Sequence, residues 1–122
     1  MANNEIINRK ELIDRLDKDF QLFTELAELF FVDSISILKK IENSIDSKNS
    51  EELRKTAHTL KGAVANFSAK RAYDAAFELE NAGKNGEFHD VVKKFEILKK
   101  EIEELTEEMK SILKEGTFSR EI

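Results

Sequence analysis

From about residue 9 to residue 115 the apolar positions recur every three or four residues, the period of an amphipathic α-helix. Leu12, Ile13 and Leu16 predict a short first helix from Arg9 to about Leu16. Phe23, Ala27, Phe30, Ile37, Ile41 and Ile45 mark the main stripe of a long helix from about Asp19 to Asp46, interrupted by Ser34 and capped by Asp17 or Asp19. Leu22, Leu26, Leu29, Phe31, Ile35 and Leu38 widen its apolar surface beyond one seam. Two readings of that surplus stand: the short first helix covers it, or part of it stays open for a partner.

Residues 47–50 read as a turn, with Ser50 capping a third helix that ends around Phe67. Leu53, Ala57, Leu60, Val64 and Phe67 form its inner stripe. Ser68 is the expected cap of a fourth helix from Ala69 to about Ala82, with Arg71 reaching past the cap. Its inner stripe of Ala72, Ala75, Ala76, Leu79 and Ala82 is small enough for helix axes to approach closely, and Gly83, Asn85 and Gly86 are expected to end it. A last helix from about Phe88 to Lys114 carries a sustained seam from Phe88 through Phe95, Ile102 and Met109 to Ile112, and Gly116 stops it. Short turns make consecutive helices antiparallel neighbours. The pattern therefore predicts an all-α fold, an up-down-up-down four-helix bundle with an additional short N-terminal helix. The expected organisation is a flexible N-terminus over residues 1–8, one bundle over 9–115 and a tail over 116–122.

Composition narrows the function classes. The 122 residues suit one domain, and the absence of proline fits an all-helical chain. The net charge of -5 argues against a nucleic-acid binder, which would carry a basic excess. There is no cysteine, so no disulfide framework and no thiolate chemistry. No stretch approaches the roughly 20 apolar residues that span a bilayer, and the start lacks the pattern of a secretory signal. A cytoplasmic protein with no membrane association is the default expectation. No Glu-x-x-His pair, phosphate-cradling glycine loop or serine nucleophile motif is present. No metal site is expected.

Candidate chemistry concentrates on the third helix. At about 100° per residue His58 lies roughly 140° from the centre of the apolar stripe, so it faces solvent. Arg54, Lys55, Lys61, Gly62 and Ala65 share that outer face. An unperturbed imidazole titrates near pH 6.5, which leaves a nucleophilic ring nitrogen available at neutral pH. Such a nitrogen can form a covalent phosphoramidate. Lys61, one turn on, can hold phosphoryl charge as a mobile point charge. Gly62 weakens the helix by about 1 kcal/mol relative to Ala, a cost that close approach by another molecule would offset. Arg54 and Lys55 add positive potential, and with Ala65 they are the candidate docking surface on this face. His89, without such company, reads as an ordinary surface residue.

The run His58-Thr59-Leu60-Lys61-Gly62 resembles the signature of histidine-containing phosphotransfer domains, and the likeness extends from roughly Leu12 to Leu113. The resemblance implies that His58 accepts a phosphoryl group from a receiver-domain aspartate and passes it to another receiver, supported by Lys61 and Gly62. In the family the following helix lends polar groups to the site, and the matching positions here are Glu80 and Lys84. Lys84 keeps the charge of the arginine found in one member type. Glu80 replaces a glutamine, and a carboxylate cannot donate a hydrogen bond to phosphate unless protonated. It either orients the imidazole by accepting its N–H or points to solvent. The resemblance further implies no cofactor of its own, with Mg²⁺ supplied by the receiver partner. Response-regulator receiver domains are the expected partners, a hybrid sensor histidine kinase is a further candidate, and the chain is expected to be a monomeric phosphoryl carrier rather than an autonomous enzyme. Two alternatives remain: a non-catalytic helical interaction module, and the phosphotransfer domain of a chemotaxis-type histidine kinase, phosphorylated in trans.

Overall fold

Five helices account for most of the computed structural model, which describes residues 5–118: α1 (Arg9–Arg15), α2 (Phe20–Asp46), α3 (Ser50–Ala65), α4 (Lys70–Asn85) and α5 (Val91–Glu115). No strand occurs among the described residues. The four long helices form the expected antiparallel bundle, each turning its apolar stripe inward because only that face has a partner to exclude water. Phe23, Ala27, Phe30 and Ile41 of α2 meet the Leu53, Ala57, Leu60 and Val64 stripe of α3, the alanines of α4 and the Phe95-to-Ile112 seam of α5 in one continuous core. Ser34 and Ser44 are buried too, and the Ser44 hydroxyl is satisfied by donating to the Ile41 carbonyl at 2.7 Å. Ile7 and Phe118, which the sequence places in the flanking segments, are both buried. The Phe118 ring packs edge-on against Phe20 at 5.0 Å and Phe23 at 5.6 Å.

Several element ends differ from expectation. Asp19 caps α2, its carboxylate accepting from the Leu22 N–H at 2.9 Å. Asn49 rather than Ser50 caps α3, accepting from the Glu52 N–H, and Ser50 becomes the first helical residue. Ser68 does not cap α4. It sits in a left-handed turn at φ 55°, and its hydroxyl accepts from Arg15 Nε at 3.4 Å. Arg71 reaches instead to α5, bonding Glu101 at 3.1 Å and Glu104 at 2.7 Å. α5 starts at Val91, leaving Phe88 in the preceding turn.

Gly83 does not end α4, which continues to Asn85 and closes at Gly86 with φ 66°. Gly83 lies directly against the backbone of α3. A Cβ there would lie 2.5 Å from the Arg54 amide nitrogen and 2.8 Å from the Ser50 carbonyl oxygen. That close approach brings the outward face of α4 level with the outward face of α3.

The short α1 lies across one end of the bundle. The Asn8 N–H donates to the Ser68 carbonyl at 3.0 Å, and Arg9 reaches Glu108 at 3.3 Å and Glu115 at 3.2 Å. In that place it does not cover the apolar surplus of α2. Leu22, Leu29, Val32 and Ile35 are exposed, while Leu26, Phe31 and Leu38 are half-buried. Part of that surplus is therefore exposed to solvent rather than covered by α1.

Candidate functional site

α3 presents His58 outward because every core-directed position on its turn is taken by Leu53, Ala57 or Leu60, all fully buried. The His58 side chain is 62% exposed. One face of α4 runs alongside it, carrying Tyr73, Phe77, Glu80 and Lys84 at intervals of one turn. Glu80 is the residue that joins the two helices. Its Oε2 lies 2.9 Å from His58 Nδ1, and its Oε1 lies 2.7 Å from the Lys61 ammonium.

One carboxylate thus bridges imidazole and ammonium, and that fixes the proton arrangement. An ionised carboxylate only accepts, so His58 Nδ1 must carry the hydrogen of this bond. In the neutral ring the Nε2 lone pair is then unprotonated. Burial opposes the charge of Glu80, but hydrogen bonds from Lys61 and His58 outweigh it together and hold the carboxyl below the ordinary range. The bond to Glu80 in turn raises Lys61, against the opposing effect of desolvation. The Lys61 ammonium also stands over two rings of α4, 4.9 Å from the centre of Phe77 and 5.6 Å from that of Tyr73.

The structure therefore brings together His58, Lys61 and Glu80. Gly62 is exposed one turn beyond His58, and a Cβ on it would meet nothing within 4 Å. Ala65 is half-buried a further turn on, and Lys55 is exposed on the same face. Arg54 forms an ion pair with Glu51. Lys84 is exposed one turn past Glu80 and forms no hydrogen bond or ion pair among the described residues. None of Arg54, Lys55 and Lys84 touches His58 through such a bond. Sequence reasoning passed over Tyr73 and Phe77. Their signal was the repeat of positions 73, 77, 80 and 84, which puts two rings on the same strip as Glu80. No group of three or more His, Cys, Asp or Glu side chains is placed to hold a metal ion among the described residues.

Comparison with known proteins follows the same lines. The pattern of the Hpt domain family matches residues 25–108. The crystal structure of histidine-containing phosphotransfer protein B from Pseudomonas aeruginosa PAO1 superposes with a TM-score of 0.83, covering 89% of this chain and 95% of that one. At 21% sequence identity that likeness is one of fold. No curated protein matches the chain at a significant level.

Proposed function

Because this chain belongs to the Hpt domain family, we propose that His58 is the residue that carries its phosphoryl group. The chain is a histidine phosphotransfer protein of a phosphorelay, and its partners are receiver domains. The observation that carries the assignment is the 2.9 Å bond from His58 Nδ1 to Glu80 on a ring that is otherwise open to solvent. It leaves Nε2 as the exposed nucleophile.

In the proposed step the Nε2 lone pair attacks the phosphorus of a receiver aspartyl phosphate. The P–Nε2 bond forms, the P–O bond to the aspartate breaks, and the aspartate leaves with the electron pair as a carboxylate. The Nδ1 proton stays in place, so the positive charge gained by the ring faces the Glu80 carboxylate. Lys61 offers its ammonium to the phosphoryl oxygens, and Gly62 leaves room for the receiver to come close. Mg²⁺ enters with the receiver, where it neutralises charge on the transferring group. Lys84, Arg54 and Lys55 contribute positive potential around the site rather than direct contacts.

Docking is assigned to the exposed strip of α2 beside α3. Phe31 lies under the Lys110 ammonium of α5 at 5.8 Å, and Ile35 and Leu38 line a groove with Phe95 and Lys99. Those positions mark the α5 flank of α2. By helix arithmetic Leu22, Leu26 and Leu29 occupy the opposite flank, towards the helix that bears His58. No helix among the described residues is long and apolar enough to cross a membrane. We assign the relay to the cytoplasm, with the chain as a monomeric carrier that depends on its receivers and on an upstream hybrid sensor kinase.

The test is incubation with a phosphorylated receiver and Mg²⁺, followed by intact mass and acid treatment. The parent gains one acid-labile phosphoryl group, and His58→Gln gains none while keeping its helical circular dichroism. Transfer to the His58→Gln protein at the parental rate sinks the assignment. Phosphorylation by a chemotaxis-type kinase with ATP, but by no receiver, places the chain in the other relay type.

A further inference from the structure

The Lys61 side chain is on the outward face of α3, where a lysine ordinarily extends into water, yet it is only 15% exposed. Three side chains of α4 account for this. Glu80 meets the ammonium at 2.7 Å, and the Phe77 and Tyr73 rings lie beneath it at 4.9 and 5.6 Å. Phe77 is 42% exposed, so its ring is covered on one side by the Lys61 ammonium and open to water on the other.

We propose that Phe77 and Tyr73 are positioning residues for phosphoryl transfer, acting through Lys61 by seating its ammonium beside His58. The proposal rests on His58 as the phosphoryl carrier and names two residues that the family motif does not contain in this chain's reading. A lysine has four rotatable bonds, and a free one would have to be ordered at each phosphoryl transfer. The seat removes that step. Aromatic faces suit the task better than a second carboxylate would. They attract a cation through the ring quadrupole and add no negative charge to repel the phosphoryl oxygens. Their hold is also modest, so a doubly charged phosphoryl group can draw the ammonium forward while Glu80 keeps its bond to Nδ1.

The experiment uses phosphoramidate as donor, because so small a molecule reports on His58 and Lys61 without any docking surface. The P–N bond of phosphoramidate breaks, ammonia leaves and is protonated to ammonium, and the new P–Nε2 bond forms on His58 with Nδ1–H retained. Rates are followed by intact mass for the parent, Phe77→Leu, Phe77→Tyr and Lys61→Ala, and for Phe77→Leu combined with Lys61→Ala. Phe77→Leu is expected to slow the reaction about three-fold, the reach of one exposed cation–ring contact. Phe77→Tyr retains the parental rate, and Phe77→Leu has no further effect once Lys61 is alanine. In NMR spectra the Lys61 ε-methylene protons lie upfield in the parent, shielded by the rings, and move downfield in Phe77→Leu. A parental rate in Phe77→Leu, an equal slowing in the Lys61→Ala background, or unshielded ε-methylene protons in the parent each overturn the proposal. Failure of the parent to be phosphorylated on His58 at all removes the reading beneath it. Phosphorylation of the parent with no effect of Phe77→Leu removes the seat alone.

Discussion

Glu80 makes two bonds with opposite requirements, and separating them shows what it does. Towards His58 it needs only an acceptor oxygen. Towards Lys61 it needs a negative charge. Glu80→Gln keeps the first and loses the second, whereas Glu80→Ala loses both. Since hydrogen bonds to charged groups contribute about 1.5–3 kcal/mol, Glu80→Ala should slow phosphorylation of His58 by about ten-fold or more, with Glu80→Gln intermediate, as measured by single-turnover transfer. The same carboxylate has a signature in stability. Its pKa is depressed in the folded chain, so its contribution is complete above the ordinary glutamate value of about 4.3 and is lost as pH falls through the lower folded value. The Tm difference between parent and Glu80→Gln is therefore expected at pH 7 and should shrink towards zero below about pH 4. A difference that does not change with pH would show that Glu80 acts by packing. At this scale the sequence displayed His58, Lys61 and Gly62 openly, because they share one helix and spacing alone fixes their relation. Glu80 was legible only as a choice between two roles. That choice depends on how closely α3 and α4 approach, which no periodicity encodes.

The two helical glycines show how that approach is set. Gly83 faces backbone, with a hypothetical Cβ within 2.9 Å of the Arg54 Cα, so Gly83→Ala must push α3 and α4 apart. Overpacking of this kind costs about 1–3 kcal/mol, measurable by urea denaturation, and it should also slow transfer by moving Glu80 away from His58. Gly62 faces open space. Gly62→Ala should stabilise the chain by about 1 kcal/mol through helix propensity alone. It should nevertheless slow transfer from a receiver while leaving phosphorylation by phosphoramidate unchanged. If both donors are unaffected, Gly62 is not part of the docking face. The sequence assigned Gly83 to the end of α4 because glycine and asparagine commonly terminate helices, and Gly83, Asn85 and Gly86 stood within four positions. The left-handed φ at Gly86 identifies the true cap, and close packing explains the other glycine. Asn49 and Ser50 are adjacent and both favour the cap position, so residue type could not choose between them.

For the molecule as a whole, the seam pattern and short turns were enough to predict the bundle, since four amphipathic helices with short connections have few ways to bury their stripes. What the pattern could not say was where α1 would lie. Its position across the α3–α4 turn and the end of α5 leaves both flanks of α2 uncovered, and the two flanks have different neighbours. Leu29, 60% exposed, lies towards α3, while Ile35, 72% exposed, lies towards α5. Both should accept a polar residue with little change in stability, because neither contributes a buried side chain, and surface changes of this kind stay within about 0.5 kcal/mol. Their effects on transfer should differ. Leu29→Ser, alone or with Leu22→Ser, should raise the receiver concentration needed for half-maximal transfer, with the rate at saturation and the reaction with phosphoramidate unchanged. Ile35→Ser should leave all three as in the parent. The contrast tests the docking assignment independently of His58, because all of these variants keep the imidazole, Glu80 and Lys61 intact. An effect of Ile35→Ser equal to that of Leu29→Ser would extend the receiver's footprint to the α2–α5 groove and overturn the assignment of docking to the α3 flank alone.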